Sequence, residues 1–467
     1  MIQRRSRSSL VRRGVAALVV GGLLLAACGT SKDDDNATAT TKASSTDSGS
    51  SSGSGKFQSI SGVPGVTDKD ITFAALGTGP ANDPLGGCNF QCYVEGVKAY
   101  FAFRNSEGGV NGRDLVMGDV VDDQLGNNQV KALEIIQANK AFGVFSYPTI
   151  ASGFADLAKA GVPLYTVVQF APEIAGQESS FVQGGATCIS CTSPFYSYVA
   201  KKVGAKKVAS LGYGISPASK QCVKAQDDSI EKYAGDTGVT VGYSNDDLQY
   251  GLPNGIAPEV TAMKAAKVDL IMTCIDQRAV GTLEQELQRQ GLPKVKVLLP
   301  RAVGDPTLLR DGGDLFEGDV AFVTNRPFDA ATSKGTAMPD FLKWIAKSTV
   351  KDVNLDTAIQ GWVDADLAYQ GILGAGASFD RAKAVAATNA LKGYTADGII
   401  TSYDPGRQHV PPTETDRLTH GPNPQCMIYA QVTGGKWKIL GDTSKPWICW
   451  DPAKMDDLGS ATARDFR

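Results

Sequence analysis

Histidine is nearly absent from this chain of 467 residues, which contains only His409 and His420. Both lie in a proline-rich stretch, so little is available for histidine-based acid–base catalysis or for a zinc site. Outside the Ser- and Gly-rich stretch 49–53, the sequence also lacks the GxSxG motif, and it lacks the HExxH motif and a second CxxC motif. These absences argue against the common hydrolases and metalloenzymes. We expect no enzymatic activity, no bound metal and no cofactor.

Two short motifs resemble enzyme signatures but are incomplete. Gly77-Thr78-Gly79 follows the first predicted strand like a dinucleotide-binding turn, yet Asn82 stands where the third glycine belongs. The run Ser348-Thr349-Val350-Lys351 matches the serine-x-x-lysine pattern of penicillin-recognising enzymes, but the other two motifs of that set are absent. We interpret the glycine-containing turn as a ligand loop.

An excess of basic charge is also missing. The chain has 46 Lys and Arg against 49 Asp and Glu. Without the five arginines of residues 1–27, 41 basic residues face 49 acidic ones, a net charge of −8. A mildly acidic protein is poorly suited to binding nucleic acid. No segment after residue 27 is long and apolar enough to cross a membrane.

The N-terminal residues have the composition of an export signal. A basic leader that includes Arg12-Arg13 precedes an apolar stretch, 14–27, which is too short to span a bilayer comfortably. This stretch ends in Leu25-Ala26-Ala27-Cys28, which resembles a bacterial lipobox. We therefore predict that residues 1–27 are a lipoprotein signal peptide and that Cys28 carries lipid on the extracytoplasmic face of the bacterial cell membrane. Export by the general or the twin-arginine route stays open.

Residues 28–63 form the next segment, which consists of the predicted lipidated cysteine and a Ser-, Thr-, Gly- and Asp-rich linker. Almost nothing in it can bury apolar area, so we expect a flexible tether. A coil of this length spans roughly 30 Å. Such a tether holds a globular body near a membrane without docking it rigidly.

Eight cysteines remain after Cys28, and an even number in an exported protein indicates disulfide bonds. Sequence alone does not choose among the many possible pairings. The pairs that we favour are Cys88 with Cys92, Cys188 with Cys191, Cys222 with Cys274, and Cys426 with Cys449. The CxxC spacing of Cys188 and Cys191 also suits a redox dithiol or half of a zinc site, although neither alternative has further support in the sequence.

Short β-type runs alternate with helical patterns along most of the chain, in two successive series. This alternation predicts an α/β protein with two lobes, each a parallel sheet flanked by helices. In one helix Val130, Leu133 and Ile136 share a face. A hairpin turned at Gly434-Gly435 ends the pattern. The predicted strands are 71–76, 115–121, 142–146, 163–168, 208–211, 239–241, 268–272, 295–299, 427–432 and 436–440, and the two longest late helical patterns are 357–374 and 381–392.

Residues 104–113, with the sequence Arg-Asn-Ser-Glu-Gly-Gly-Val-Asn-Gly-Arg, begin a longer pattern. A strand, Asp122-Asp123, an amphipathic helix and Phe145-Ser146-Tyr147 follow. This order resembles the N-terminal lobe of type I periplasmic binding proteins of the branched-chain amino-acid, or leucine-binding, class, and the resemblance covers about 68–440. It implies two Rossmann-like lobes, joined by a three-stranded hinge, that close on a small solute.

The same resemblance implies a domain organisation and partners. The first lobe would comprise 66–185 plus 326–397 and the second 186–325 plus 398–450, with 451–467 as a C-terminal tail. The chain would cross between lobes near 184–191, 323–328 and 398–400. The protein would act as a monomer that delivers its solute to the permease and ATPase subunits of an ABC importer.

Ligands of open α/β sheets bind beyond the carboxyl ends of the strands. The site residues predicted in the first lobe are Thr78, Ser146, Tyr147, Thr149, Gln169 and Phe170. Those predicted in the second lobe are Tyr213, Ser219, Asp276, Gln277, Arg301 and Asn325. Alternatively, Thr149 and Ser152 cap a helix, and capping is favoured over ligand contact for Asp276. Ser216, before Pro217, is expected to be a structural cap.

Arg301 departs from the pattern of amino-acid-binding members, which place an acidic residue at this loop to neutralise the ligand's ammonium group. An arginine there would repel that group, so we expect leucine-like amino acids to bind poorly and an anionic or neutral polar solute to bind better. Alternatively, Arg301 is a solvated loop residue. Two other protein classes remain alternatives, a ligand-sensing receptor subunit without a transport role and an envelope hydrolase.

Overall fold

The computed structural model describes residues 57–82, 88–167, 174–183, 188, 191–300, 302–416, 420 and 425–467. The predictions for Cys28, Gln169, Phe170 and Arg301 therefore lie outside the described residues, as do the signal peptide and most of the linker. In the described part of the chain, no helix combines the length and the hydrophobicity that crossing a bilayer requires.

Strands and helices alternate as the sequence pattern predicts. The described strands are β1 Asp70–Gly77, β2 Asp114–Asp122, β3 Val144–Tyr147, β4 Leu164–Thr166, β5 Ser180–Val182, β6 Lys207–Tyr213, β7 Thr240–Leu248, β8 Leu270–Cys274, β9 Lys296–Pro300, β10 Val320–Val323, β11 Gln425–Val432, β12 Trp437–Ile439, β13 Trp447–Trp450 and β14 Thr462–Arg464. The described helices are α1 Asn89–Ser106, α2 Asn128–Ala138, α3 Phe154–Lys159, α4 Pro194–Lys202, α5 Pro217–Lys232, α6 Ala234–Thr237, α7 Ala257–Ala266, α8 Gln277–Arg289, α9 Leu308–Gly312, α10 Met338–Ile345, α11 Leu355–Ala375 and α12 Arg381–Ala390.

Two sheets organise these elements, and both contain the same parallel arrangement. The first sheet has the order β2-β1-β3-β4-β5, and all its pairs are parallel. The second contains β7-β6-β8-β9-β10, also parallel, and continues through antiparallel β11, β13 and β14. We call each sheet with its flanking helices a lobe. The α/β fold with parallel sheets between helices is the one expected from the sequence.

Helix α11 forms the centre of the first lobe and packs directly on α1. An added Cβ at Gly96 would lie 1.8 Å from the Ala358 carbonyl oxygen, and one at Gly361 would lie 2.0 Å from that of Tyr93. Only glycine permits this backbone approach. The two helices bury a continuous aromatic and aliphatic core against the first sheet. Trp362 of α11 belongs to this core.

The predicted helical face on α2 is wrong in part. Val130 is 53% and Leu133 41% exposed, whereas Ala132 is fully buried and Ile135 and Ile136 are half-buried. The buried face also includes Asn128, whose side-chain oxygen accepts a hydrogen bond from the Gly153 N–H at 2.9 Å. A buried asparagine does not contribute to a hydrophobic pattern. The pattern therefore predicted a buried face that is rotated away from the one the structure contains.

All eight described cysteines form disulfides, in the pairs favoured from the sequence. The bonds are Cys88–Cys92, Cys188–Cys191, Cys222–Cys274 and Cys426–Cys449. Cys426 and Cys449 are register partners on antiparallel β11 and β13. Cys222–Cys274 joins α5 to the end of β8.

The packed protein begins earlier than the predicted end of the linker. The Arg113 guanidinium is buried and donates to the carbonyl oxygens of Gln58 and Thr67, both at 2.7 Å, and it lies 4.7 Å from the Phe57 ring centroid. A buried guanidinium must find acceptors, and the backbone of this segment supplies them. Residues 57–63 are thus ordered against the first lobe rather than part of a tether.

Two predicted domain boundaries also shift. Tyr403 packs in the core of the first lobe, and the His409 ring nitrogen Nε2 hydrogen-bonds to Asn389 Oδ1 at 2.6 Å. Tyr403 and His409 therefore pack with the first lobe rather than with the second. The segment 451–467 is not a separate tail, because β14 extends the second sheet and Asp465 forms an ion pair with Arg326.

Candidate functional site

Each parallel sheet contains one point at which the strand order reverses. In the first lobe this point lies between β1 and β3, and in the second between β6 and β8. The loops that leave adjacent strands there run to opposite faces of the sheet, which opens a crevice for ligands. Thr78, Ser146, Tyr147 and Thr149 lie at or near the strand ends beside the first reversal point, and Tyr213, Ser219, Asp276 and Gln277 lie beside the second.

A buried hydrogen-bond relay shapes the first crevice. The Thr78 hydroxyl donates to Asp123 Oδ1 at 2.9 Å, and the Thr149 N–H donates to Thr78 Oγ1 at 3.1 Å. Asn128 Nδ2 donates to the other Asp123 oxygen at 3.0 Å. Thr78 and Asp123 are 3% and 0% exposed. Thr78 therefore positions the loop that follows β3, with its own hydroxyl proton already engaged.

The remaining residues of this loop have different environments. Ser146 is fully buried, and its hydroxyl donates to the Leu76 carbonyl at 2.7 Å, which ties β3 to β1. Tyr147 is half-buried with its ring 5.6 Å from that of Tyr93. Thr149 is exposed. Tyr147 and Thr149 are thus the two members of this set that reach solvent.

The capping alternative for Thr149 and Ser152 is not what the structure contains. The residue before α3 is Gly153, and no side chain caps the helix. The Gly153 N–H is satisfied instead by Asn128 of α2.

Two carboxylates at the end of β2 were missed as site residues. Asp123 is the centre of the relay, and Asp122 accepts hydrogen bonds from the Gly79 N–H at 2.9 Å and from Asn82 Nδ2 at 2.5 Å. Partial burial acts to raise the pKa of Asp122, but its hydrogen bonds outweigh that effect and lower the pKa. The adjacent pair was visible in the sequence, and the rule that ligand loops follow strands also applied to β2.

Tyr213 and Asp276 form the centre of the second crevice. The Tyr213 hydroxyl donates to Asp276 Oδ2, while Asp276 Oδ1 accepts from the Arg278 and Ala279 N–H groups at 3.0 and 3.1 Å. Asp276 is therefore the N-cap of α8, as the favoured alternative predicted. Burial, followed by the neighbouring Asp276, raises the pKa of Tyr213, so its hydroxyl stays protonated at neutral pH.

Ser219 supports this centre from beneath. Its hydroxyl accepts from the Tyr213 N–H and donates to the Cys274 carbonyl, both at 2.7 Å. Ser216 caps α5 by accepting from the Ser219 N–H at 3.2 Å, which confirms its structural role. Ser219 is 7% exposed and Gln277, at the start of α8, is half-buried.

Asn325 lies in the connection between the lobes rather than in either crevice. It pairs with Ile400 in an isolated antiparallel bridge, is 5% exposed, and donates through Nδ2 to the Arg326 carbonyl at 2.9 Å. Its environment indicates a role in the connection.

The loop after β9, which contains the undescribed position 301, contacts the first lobe. The Gly304 N–H donates to Asp356 Oδ2 at 2.6 Å, and the Leu355 N–H donates back to the Gly304 carbonyl at 2.9 Å. Arg310 and Asp352 add an ion pair at 2.7 Å. This loop of the second lobe is thus fastened to the N-terminus of α11.

Hydroxyl groups and main-chain amides dominate both crevices, with carboxylates that are already engaged by protein donors. Within the described ranges, no three His, Cys, Asp or Glu side chains are grouped so as to hold a metal ion. The arrangement can recognise polar groups of a small molecule through hydrogen bonds and can pack its apolar parts against tyrosine rings.

Two α/β lobes with crevices at matching reversal points define the class of bilobal solute-binding proteins. Residues 79–436 match the model of the periplasmic binding protein family, and the chain belongs to this family. Its members are binding proteins that lie outside the cytoplasm and supply ABC transporters with small solutes. No curated protein matches the sequence.

Solved structures of type I periplasmic binding proteins share the fold. The branched-chain amino acid transporter substrate-binding protein of Streptococcus pneumoniae, in complex with isoleucine, is 15% identical, with a TM-score of 0.63 over 80% of this chain and 99% of that one. The Rhodopseudomonas palustris solute-binding protein in complex with 4-hydroxybenzoate is 20% identical, with a TM-score of 0.61 and coverages of 80% and 96%. The fatty acid ABC transporter substrate-binding protein of Thermomonospora curvata is 16% identical, with a TM-score of 0.61 and coverages of 86% and 95%.

Proposed function

We propose that this protein is a lipid-anchored substrate-binding subunit of an ABC importer that captures one small polar or anionic solute between its lobes. Hinge closure would bury the solute, and the closed monomer would deliver it to the permease. The observation that carries this proposal is the repeated strand order, which places polar loops at an equivalent reversal point in each lobe.

The proposed ligand-contacting residues are those that reach the crevices from the two lobes. Tyr147 and Thr149 would serve the first lobe, and Tyr213 and Gln277 the second, where Asp276 holds the loop as the N-cap of α8. Thr78, Ser146 and Ser219 would hold these loops in place, because their hydroxyls already bond to protein groups. Each lobe thus separates contact residues from supporting ones, a division that favours a preformed site.

The proposed solute class depends on position 301. An arginine at the loop after β9 would repel an ammonium group and would grip a carboxylate with two parallel hydrogen bonds. Isoleucine and 4-hydroxybenzoate, the ligands named for two structural neighbours, differ in the ammonium group and provide a direct comparison.

A thermal-shift panel tests this function. The panel contains leucine, isoleucine, 4-hydroxybenzoate, a medium-chain fatty acid, acetamide and urea. We expect a carboxylate or amide without an ammonium group to raise the melting temperature most, and Arg301→Ala to remove the preference for carboxylates. Arg289→Ala, on the exposed end of α8, is the matched control. Strong stabilisation by leucine would contradict the argument from Arg301.

The membrane anchor is a separate part of the proposal. Lipidation at Cys28 would keep the binding protein beside its permease on the extracytoplasmic side. Cells fed an alkyne-labelled fatty acid should label the wild-type protein and not Cys28→Ser. Equal labelling of the two proteins would rule out this anchor.

A ligand-sensing receptor subunit with the same fold is the second candidate. The Asp276 cap and the hydrogen bonds of the binding loops are compatible with transport and with sensing. Transport is distinguished by uptake: deletion of the gene should abolish accumulation of the radiolabelled solute identified in the panel. Unchanged uptake together with a lost transcriptional or chemotactic response would favour the sensor.

A further inference from the structure

The Cys222–Cys274 disulfide lies directly beneath the proposed ligand loop of the second lobe. Cys274 is the last residue of β8, and Asp276, the N-cap of α8, follows two residues later. Cys222 lies on α5, one turn after Ser219. The bond thus joins α5 to the strand end from which the loop departs, across a sequence separation of 52 residues.

Hydrogen bonds also connect the end of β8 with Tyr213 and Asp276. The Ser219 hydroxyl donates to the Cys274 carbonyl at 2.7 Å and accepts from the Tyr213 N–H at 2.7 Å. Tyr213 then donates to Asp276. A closed circuit therefore runs from the disulfide through Ser219 and Tyr213 to Asp276 and back along the chain to Cys274.

This disulfide differs from the other three in its exposure. Cys222 and Cys274 are both half-buried. Each other bond has at least one buried partner: Cys92 is 0%, Cys191 7% and Cys449 0% exposed. The Cys222–Cys274 bond is thus the partly exposed one, and it lies beside the reversal point of the second sheet.

We propose that Cys222 and Cys274 are positioning residues of the binding site: their disulfide fixes the end of β8 on α5 and thereby holds Asp276 and Tyr213 in the geometry that receives the solute. The effect on solute binding rests on the proposed function. The effect on the position of Asp276 and Tyr213 can be measured in the unliganded protein. Without the bond the fold persists, and the first turn of α8 loosens.

Hydrogen exchange of the purified, unliganded full-length protein tests this role. The Arg278 and Ala279 N–H groups bond to Asp276 Oδ1 and report its position. In Cys222→Ala/Cys274→Ala, peptides covering 275–281 should exchange at least tenfold faster, whereas peptides covering β10 in the core should keep their protection. Cys426→Ala/Cys449→Ala removes a disulfide from the same sheet and is the matched control. In this control, the exchange rate of peptides covering 275–281, relative to that of peptides covering β10, should stay as in the wild-type protein.

A second measurement does not depend on the folding of a variant. A water-soluble phosphine converts the disulfide of the folded wild-type protein to two thiols, itself taking oxygen from water, and alkylation traps them for mass spectrometry. When Cys222 and Cys274 are alkylated, exchange at 275–281 should have accelerated by the same factor. Unchanged exchange at that point, or equal acceleration across β10, would overturn the proposal.

Ligand binding separates this inference from the proposed function. Isoleucine, 4-hydroxybenzoate and acetamide are titrated into the wild-type protein and both double variants, and the tightest solute should bind Cys222→Ala/Cys274→Ala at least tenfold more weakly than the control. Absence of binding to the wild-type protein by every panel solute would count against the proposed function. The exchange result would still decide the positioning role.

Discussion

The Thr78 hydroxyl donates to the Asp123 carboxylate at 2.9 Å inside the first lobe, and the Thr78 oxygen in turn accepts a hydrogen bond from the Thr149 N–H at 3.1 Å. One buried side chain therefore connects the ends of β1 and β2 with the loop after β3. Because a buried carboxylate needs its donors, the relay fixes this loop before any solute arrives.

Substitution of Thr78 should separate the hydroxyl from the shape of the side chain. Thr78→Val keeps the volume but removes both hydrogen bonds, so we expect the free energy of unfolding to fall by about 1–3 kcal/mol. Thr78→Ser retains the hydroxyl and should lose clearly less. Urea denaturation measures both, and equal losses in the two variants would show that the relay contributes nothing.

The second crevice allows a similar test of its cap. Asp276→Ala removes the acceptor for the Arg278 and Ala279 N–H groups and should cost about 1 kcal/mol of stability. Asp276→Asn can still cap the helix and should cost less, because Asn is as good an N-cap as Asp. Tyr213→Phe leaves the cap intact and should weaken solute binding, with Tyr429→Phe, a buried phenol that donates to Phe195, as control. Stronger destabilisation by Asp276→Asn than by Asp276→Ala would contradict the capping role.

The C-terminal segment should stabilise the connection between the lobes. The Arg326 guanidinium is 2% exposed, donates to the Gly398 carbonyl at 2.7 Å and forms an ion pair with Asp465. Asp465→Ala leaves this charge without its counter-ion and should reduce the free energy of unfolding by about 3 kcal/mol. Arg467→Ala removes the exposed partner of the same carboxylate and should change stability little. Similar losses of unfolding free energy in the two variants would show that the buried ion pair stabilises the protein no more than the exposed one.

Stability should also fall at alkaline pH because two carboxyl groups are buried together between α8 and β10. Burial, followed by the neighbouring Asp319, raises the pKa of Glu284 to about 10, and burial raises that of Asp319 to about 7. The folded protein therefore keeps protons that the unfolded chain releases near its ordinary pKa values. This contribution is full below those values and is lost as the pH rises toward 10.

We therefore expect the free energy of unfolding to decrease between pH 5 and pH 9, with a slope of up to about 1.4 kcal/mol per pH unit from Glu284. Glu284→Gln should flatten this dependence above pH 7, where Asp319 is already ionised. Glu286→Gln, on the same helix and exposed, should leave it unchanged. Denaturation curves at several pH values provide the measurement, and a dependence between pH 7 and pH 9 that persists in Glu284→Gln would contradict the assignment.

The sequence predicted the parts of the fold that repeat a local pattern. Strands and helices alternate with clear hydrophobic periods, so β1, β6 and α11 lie where they were expected. The caps at Ser216 and Asp276 were also recognised, because N-cap residues and a following proline are local signals.

What the sequence did not reveal depends on contacts between distant segments. Arg113 orders the residues near Gln58, and Tyr403 returns to the core of the first lobe, because of partners far away along the chain. Asp123 was not recognised as a supporting residue for the same reason: its role follows from the pairing of β1 with both β2 and β3. Local periodicity contains no record of such pairings.

Isothermal titration of the tightest panel solute into the wild-type protein, Tyr147→Ala and Tyr213→Phe tests the central claim most directly, since the two tyrosines belong to different lobes. One solute per protein should bind, and each substitution should weaken binding by at least tenfold because the solute contacts both reversal points. Tyr429→Phe removes a buried hydroxyl from the second lobe away from the reversal point, so it is the control and should bind like the wild type. Binding that survives the loss of either Tyr147 or Tyr213 unchanged would contradict capture between the two lobes.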